Sequence, residues 1–322
     1  VTSYCKIPKE RRLQVYNTVS GSSVIVLLFW CLLLLPNGIF GKTVMINGVA
    51  VDTTNSRQLN FALFDAVEFG RMEDVRQLME LGAAVEARNR FGNTELLLAA
   101  RKGHLSIVQL LLDAGSELHY QNLSGNTALF QATRARRRKV VKYLLGSKAK
   151  VNVVNRQKLT SRIAAAYNED PKTVQLLLSH GADPTMADQT GKTALVYASG
   201  KGFSKIVGLL LDTGIDTNIR YGNELTILMW ASGHSDDVPS QAALNTVKLI
   251  LSKGAIPDLA DKRGLTALMI AAEMGHLRIV EHLLAIGAKA DLQDDEGRTA
   301  FDLAESADHS EVSELLREFI DW

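Results

Sequence analysis

The chain has 322 residues, near-average apolar content (46%) and a net charge of +1, and its length alone allows two ordinary domains. Only two cysteines occur, Cys5 and Cys31, both ahead of residue 42. Disulfides and thiol chemistry are therefore excluded from the rest of the chain, whichever compartment it occupies.

Residues 1–41 stand apart. Lys6, Lys9, Arg11 and Arg12 form a basic leader, Val24 to Leu35 is an unbroken run of twelve apolar residues, and Pro36-Asn37-Gly38 ends it. This is the plan of a secretory signal. Twelve helical residues are too short to span a bilayer core that needs about 20. Ile39-Phe40-Gly41 offers a small residue only at its last position, so an uncleaved anchor extending through Phe40 is the alternative. Both place the following residues across the membrane, because the positive flank stays cytoplasmic. The expected location is exported: periplasmic or secreted, with membrane attachment only through residues 24–40. Val1 fits a fragment or a non-standard start codon, and the latter would point to a bacterium. Without residues 1–41 the acids outnumber the bases by two. Residues 42–58 read as a connector, with one short strand within Val44–Val51.

From residue 59 the chain repeats. The unit is plainest from Lys262 to Ala288, where two apolar runs are divided by Met274-Gly275-His276 and closed by Gly287. Leu277, Val280, Leu283 and Leu284 share one helical face. Gly287 suits a left-handed cap. A threonine opens the first helix at Thr94, Thr127, Thr160, Thr193, Thr226, Thr266 and Thr299, at intervals of 33, 33, 33, 33, 40 and 33. Closing glycines keep the same beat at Gly82, Gly115, Gly181, Gly214, Gly254 and Gly287, with Lys148 standing where one more belongs. So short a helix hairpin cannot bury its own apolar face and needs like neighbours on both sides.

A period of 33 with Gly-x-Thr-Ala-Leu, an Ala-Ala pair, Gly-His-Leu and Leu-Leu resembles the ankyrin repeat, over about residues 59–322. The resemblance implies an all-α solenoid of stacked helix hairpins with short β-hairpin fingers, in about seven to eight repeats including caps. The expected units are 59–89, 90–122, 123–155, 156–188, 189–221, 222–261 with an insertion, 262–294 and a cap at 295–322. Together with the leader, this resembles the exported ankyrin repeat proteins of bacteria.

The units differ from one another. The first has Phe61 where threonine belongs and reads as an N-terminal cap. In the third, Arg136, Arg137 and Arg138 occupy the Gly-His-Leu positions. In the fourth, Arg162 takes the place of the buried leucine, and Asp170-Pro171 supplies an N-cap and a first helical residue. The insertion falls within Gly233–Asn245 and reads as a solvated loop whose deletion leaves the fold intact. The last unit carries acids over Phe301, Leu303, Leu315 and Leu316, as a solubilising cap should. The family's usual histidine after Thr-Pro-Leu is replaced by Leu97, Phe130, Ile163, Val196, Met229 and Met269, so apolar packing is expected there.

Catalysis finds no support. His104 and His276 fill the structural turn, and His180 precedes a capping glycine. His234 with Asp236 and Asp237 has no further histidine or cysteine at ligand spacing, and a solvated loop outweighs a metal site. Gly191-Lys192-Thr193 lacks the earlier glycine of a phosphate loop. No enzyme activity, cofactor, metal or small-molecule substrate is expected.

Surface recognition remains. Carried over from the family, the fourth, third and first residues before each threonine, and the seventh and eighth after it, form the binding face. Its candidate residues are Arg90, Phe91, Arg101, Lys102, Arg134, Arg156, Tyr167, Lys192, Lys201, Lys262 and Arg263. Over all these positions nine residues are basic and one, Glu273, is acidic. Leu118 to Asn168 holds eleven Lys and Arg and no acid, whereas Asp291 to Asp321 holds eleven acids and two arginines. Such polarity steers charged partners, though a charge run can also be a plain solvated face. The expected function is a non-enzymatic interaction scaffold outside the cytoplasm that binds an acidic protein. The alternative is electrostatic binding of an anionic envelope polymer or nucleic acid. Nucleic acid ranks low, because only Phe91 and Tyr167 interleave aromatic rings with the cations.

Overall fold

The computed structural model describes residues 43–235 and 237–319, so the basic leader and the apolar run Val24–Leu35 lie outside the described residues. The connector begins with two strands rather than one. β1 (Thr43–Ile46) and β2 (Val49–Asp52) form an antiparallel pair. Asn47 and Gly48 both take positive φ, the two-residue turn that matches the twist of paired strands. The Asn-Gly pair was the readable signal. Ile46 and Val51 point into the apolar core, so the hairpin caps the end of the stack.

Sixteen α-helices follow among the described residues. They are α1 (Ser56–Glu68), α2 (Met72–Glu80), α3 (Glu95–Lys102), α4 (Leu105–Asp113), α5 (Ala128–Arg134), α6 (Arg138–Gly146), α7 (Ser161–Tyr167) and α8 (Pro171–Ser179). After them come α9 (Ala194–Gly200), α10 (Ser204–Leu211), α11 (Ile227–Ser232), α12 (Ser240–Ser252), α13 (Ala267–Glu273), α14 (Leu277–Ala285), α15 (Ala300–Ser306) and α16 (Ser310–Arg317). Odd-numbered helices pack on their odd-numbered neighbours and even on even, which makes a two-layer solenoid. α1 is longer than the threonine register implies. It starts at Ser56 because the Asn55 side chain accepts from the Arg57 and Gln58 N–H groups, which leaves Phe61 mid-helix and exposed.

The threonines act as N-caps. The side chains of Thr127, Thr160, Thr193, Thr226, Thr266 and Thr299 each accept from the N–H three residues on, whereas Thr94 makes no such bond. The residues in the family's histidine position are buried, as expected of apolar packing. Polar links between repeats run elsewhere. His104 Nε2 lies 3.3 Å from the Glu68 carbonyl, His276 Nδ1 2.8 Å from that of Ser232, and His309 Nε2 3.1 Å from that of Glu273. In the third repeat Arg137 Nε donates to the Arg101 carbonyl at 3.1 Å, so arginine performs the histidine's task and the pattern there is substituted, not broken.

The insertion corrects the expectation of a solvated loop. Its second half is helical, extending α12 back to Ser240, and Val238, Ala243 and Leu244 are buried. Val238 packs over Gly202, where an added Cβ would come within 2.8 Å of Val238 Cγ1. His234 is only 5% exposed, its ring stacked on His276 at 3.7 Å between centroids. The polar residues Ser235, Asp237 and Ser240 hid an apolar underside. Deleting residues 235–241 is accordingly expected to cost ~2 kcal/mol or more, by uncovering Gly202 and opening a void under α12. Denaturant unfolding of the deletion variant reads this, and an unchanged midpoint would contradict it.

Candidate functional site

Most fingers between helix pairs are built by one device, the exception being Tyr221–Leu225, which closes by a backbone bridge around a 3-10 turn. An Asn or Asp side-chain oxygen accepts from the N–H groups two and four residues on: Asn122 from Ser124 and Asn126, Asn155 from Gln157 and Leu159, Asp188 from Thr190 and Lys192, Asp261 from Arg263 and Leu265. Adjacent fingertips are then tied together. Leu123 N–H donates to the Phe91 carbonyl, Arg156 to Ser124, Gln189 to Gln157 and Lys262 to Asn223. Side-chain amides add Asn122 to Asn93 at 2.7 Å and Asn155 to Asn126 at 3.0 Å. The fingertips thus form a fixed edge, not a set of loose loops.

On this frame the eleven candidate residues fall into three groups. Arg101, Arg134, Arg156 and Lys262 are exposed and have no ion-pair partner among the described residues; Arg90 is likewise exposed and lies over the Phe91 ring at 4.7 Å. Lys102, Lys201 and Arg263 are already engaged, with Glu68 at 2.8 Å, Asp237 at 2.8 Å and Asp261 at 3.0 Å. These three are neutralised by the chain itself and are poor contacts for a partner. Tyr167 and Lys192 belong to the third group, an aromatic centre.

That centre went unseen in the sequence. The fourth residue after each threonine lies one turn ahead of the seventh, on the same helical face. It reads Leu98, Gln131, Ala164, Tyr197, Trp230 and Ile270. Tyr167 and Tyr197 meet edge to face at 5.8 Å, and Lys192 Nζ stands 4.8 Å from the Trp230 ring and 5.9 Å from that of Tyr197. Burial, then a hydrogen bond given to Asp188 at 2.7 Å, pushes the Tyr197 hydroxyl up to about 12, so it stays protonated as a donor. Burial pushes the Asp188 carboxyl up as well, but bonds from the Tyr197 and Thr190 hydroxyls and the Lys192 and Thr190 N–H groups outweigh it and hold the carboxyl below its usual range.

Two grooves lie at this aromatic centre, one of them lined by Tyr197. One, of about 330 Å³, has Phe130, Leu159, Ile163 and Tyr167 among its apolar walls and Arg134 at its side. The other, of about 340 Å³, lies between Lys192, Tyr221 and Trp230. A larger concavity, of about 620 Å³, lies elsewhere, between the β1–β2 hairpin and α1. Among the described residues no group of three or more His, Cys, Asp or Glu could hold a metal ion, and no helix is long and apolar enough to cross a membrane.

Stacked helix pairs with tied fingers and a grooved inner face define a solenoid binding module, a class that acts through its surface. The family model for ankyrin repeats (3 copies) matches residues 63–155, 162–240 and 238–321, and the chain belongs to the ankyrin repeat family. No curated protein matches the chain at a significant level.

Proposed function

We propose that this ankyrin repeat protein is a non-catalytic scaffold that holds an acidic protein on the face made by its fingers and odd-numbered helices. The observation that carries the reading is the set Arg90, Arg101, Arg134, Arg156 and Lys262, exposed and without ion-pair partners among the described residues, with Arg134 lining an apolar, aromatic groove. Cations give orientation and encounter rate, and the desolvated rings give the anchoring energy. The compartment in this reading lies outside the cytoplasm, on the strength of the basic leader and the twelve-residue apolar run.

The test is capture by residues 42–322 beside the variant Arg90→Glu, Arg101→Glu, Arg134→Glu, Arg156→Glu and Lys262→Glu. A discrete protein held by the first and lost by the second is expected, with the full chain fractionating to the exported compartment. Equal capture by both baits would overturn the basic face. Retention that tracks net charge alone, on any anionic polymer, would overturn the protein partner. A full chain recovered in the cytoplasm would overturn the location.

A further inference from the structure

The third and fourth repeats keep charged side chains where the backbone disfavours any side chain. Three are cations, Arg136 at φ +57°, Lys148 at +63° and Lys158 at +57°, and one is an acid, Glu169 at +53° in Arg136's position of the next repeat. At the matching positions other repeats carry left-handed glycines: Gly103 and Gly275 for Arg136, Gly115 and Gly181 for Lys148, Gly125 and Gly191 for Lys158. A side chain in this conformation costs about 1 kcal/mol or more, and strain of this kind collects where a surface has work to do. Two of the three, Arg136 and Lys158, flank the groove beside Arg134 in sequence. Lys158 sits between the lining residues Gln157 and Leu159, and Arg136 follows Arg134 by two.

We propose that this groove receives a single bulky apolar side chain from a linear segment of the partner, flanked in that segment by carboxylates. The inference rests on the scaffold reading above and names the chemistry it selects. The volume, about 330 Å³, is at the low end for binding pockets and suits one large side chain with its neighbours. Phe130, Leu159, Tyr167 and Tyr197 offer it apolar and aromatic contact. No carboxylate lines the groove, and the stretch from Leu118 to Asn168 that supplies most of its walls has no acid at all. Gln157 is exposed at the rim and can hydrogen-bond an extended backbone. Arg134 and Arg156 stand without ion partners to meet the flanking carboxylates. An apolar ligand without acids would leave that field unused, and a polyanion without an anchor would leave the groove open.

The sharpest variant is Ala164→Trp. Ala164 lines the groove, and the matching residues of the next two repeats are Tyr197 and Trp230, so the solenoid already houses large rings at this position. The substitution fills the groove while the fold stands, which thermal unfolding verifies. A library of random twelve-residue peptides is selected on the full chain and, in parallel, on the Ala164→Trp and Arg134→Glu variants. On the wild type we expect enrichment of one apolar residue flanked by Asp or Glu. Synthetic peptides of that pattern should bind each variant at least tenfold more weakly. Acidic peptides with no common apolar residue, bound equally by Ala164→Trp, would overturn the groove yet leave the charged face standing. Apolar peptides indifferent to Arg134→Glu would overturn the charge requirement, and absence of enrichment would overturn the proposal. Loss of the whole scaffold reading shows separately, as equal capture by the wild-type and charge-reversed baits.

Discussion

Replacing Arg162 by leucine is expected to raise the unfolding free energy by ~2–4 kcal/mol, by the same amount at pH 5 and at pH 9. Arg162 is 2% exposed, and its Nε, Nη1 and Nη2 atoms have no hydrogen-bond partner. Burial draws its pKa down to about 10, opposed by the charge of Asp183, so it remains a cation throughout the physiological range. Asp183 does little to neutralise it, because that carboxylate is exposed and held chiefly by hydrogen bonds from Thr185. A buried charge without a bonded partner costs several kcal/mol, and an apolar side chain of similar volume removes the cost. The chain shows which one fits: Leu96, Leu129, Leu195, Leu228 and Leu268 hold the same position in other repeats, each with at most 1% exposure. Below pH 10 both folded and unfolded states hold the proton, so the penalty does not vary with pH there. Denaturant unfolding at the two pH values measures it. A destabilised Arg162→Leu, or a gain confined to one pH, would reject the account.

Charge in these repeats is thus maintained against stability in two ways, by Arg162 in the core and by three cations, Arg136, Lys148 and Lys158, and one acid, Glu169, in left-handed backbone. Such concessions cluster where function needs them. Arg162 lies within helix α7, which presents Ile163 and Ala164 to the groove one and two residues beyond it, and Arg136 bonds the Asn168 carbonyl at the end of that helix.

The solenoid was legible because its period is written in residues whose roles are local. A threonine caps a helix and a glycine turns left whatever lies beyond, so the 33-residue beat survives in the sequence. The first helix was misplaced because Asn55 captured the N-cap ahead of the register. The insertion was misread because Val238 and Leu244 are apolar residues among polar ones, and only the stack decides which side they face. The site was half legible. Register located the exposed arginines, but pairing is a tertiary fact, and nothing in the spacing showed Lys102 meeting Glu68 or Lys201 meeting Asp237. Tyr197 and Trp230 were missed because the carried-over positions stopped at the helix ends. The helical repeat itself, one turn back from Tyr167 and its equivalents, would have found them.

Between pH 5 and pH 8.5 the wild type is expected to lose ~3–4 kcal/mol of stability relative to Glu95→Gln. Glu95 opens α3 directly after Thr94, where other repeats carry Ala128, Ala194, Ala267 and Ala300. It is fully buried, and neither carboxylate oxygen has a hydrogen-bond partner. Desolvation pushes its pKa up to about 8; the nearness of its own backbone N–H opposes the shift without forming a hydrogen bond, and the nearby Glu86 charge adds to it. The sign follows from which state holds the proton. Below its ordinary value of 4.5 the carboxyl is neutral folded and unfolded, and it costs little. As pH rises to about 8 the unfolded chain ionises while the folded chain must keep the proton, so folding becomes progressively harder. Above 8 both ionise and the loss levels off. Glutamine has the same shape and no titration, so its curve should stay flat while the wild type falls away, and Glu95→Ala should lie above both by also removing the unpaired polar group. Parallel curves for wild type and Glu95→Gln would mean that the carboxylate finds water or a partner on ionising. A carboxyl carbon shift for Glu95 that titrates near 4.5 in the folded protein would establish the same point directly.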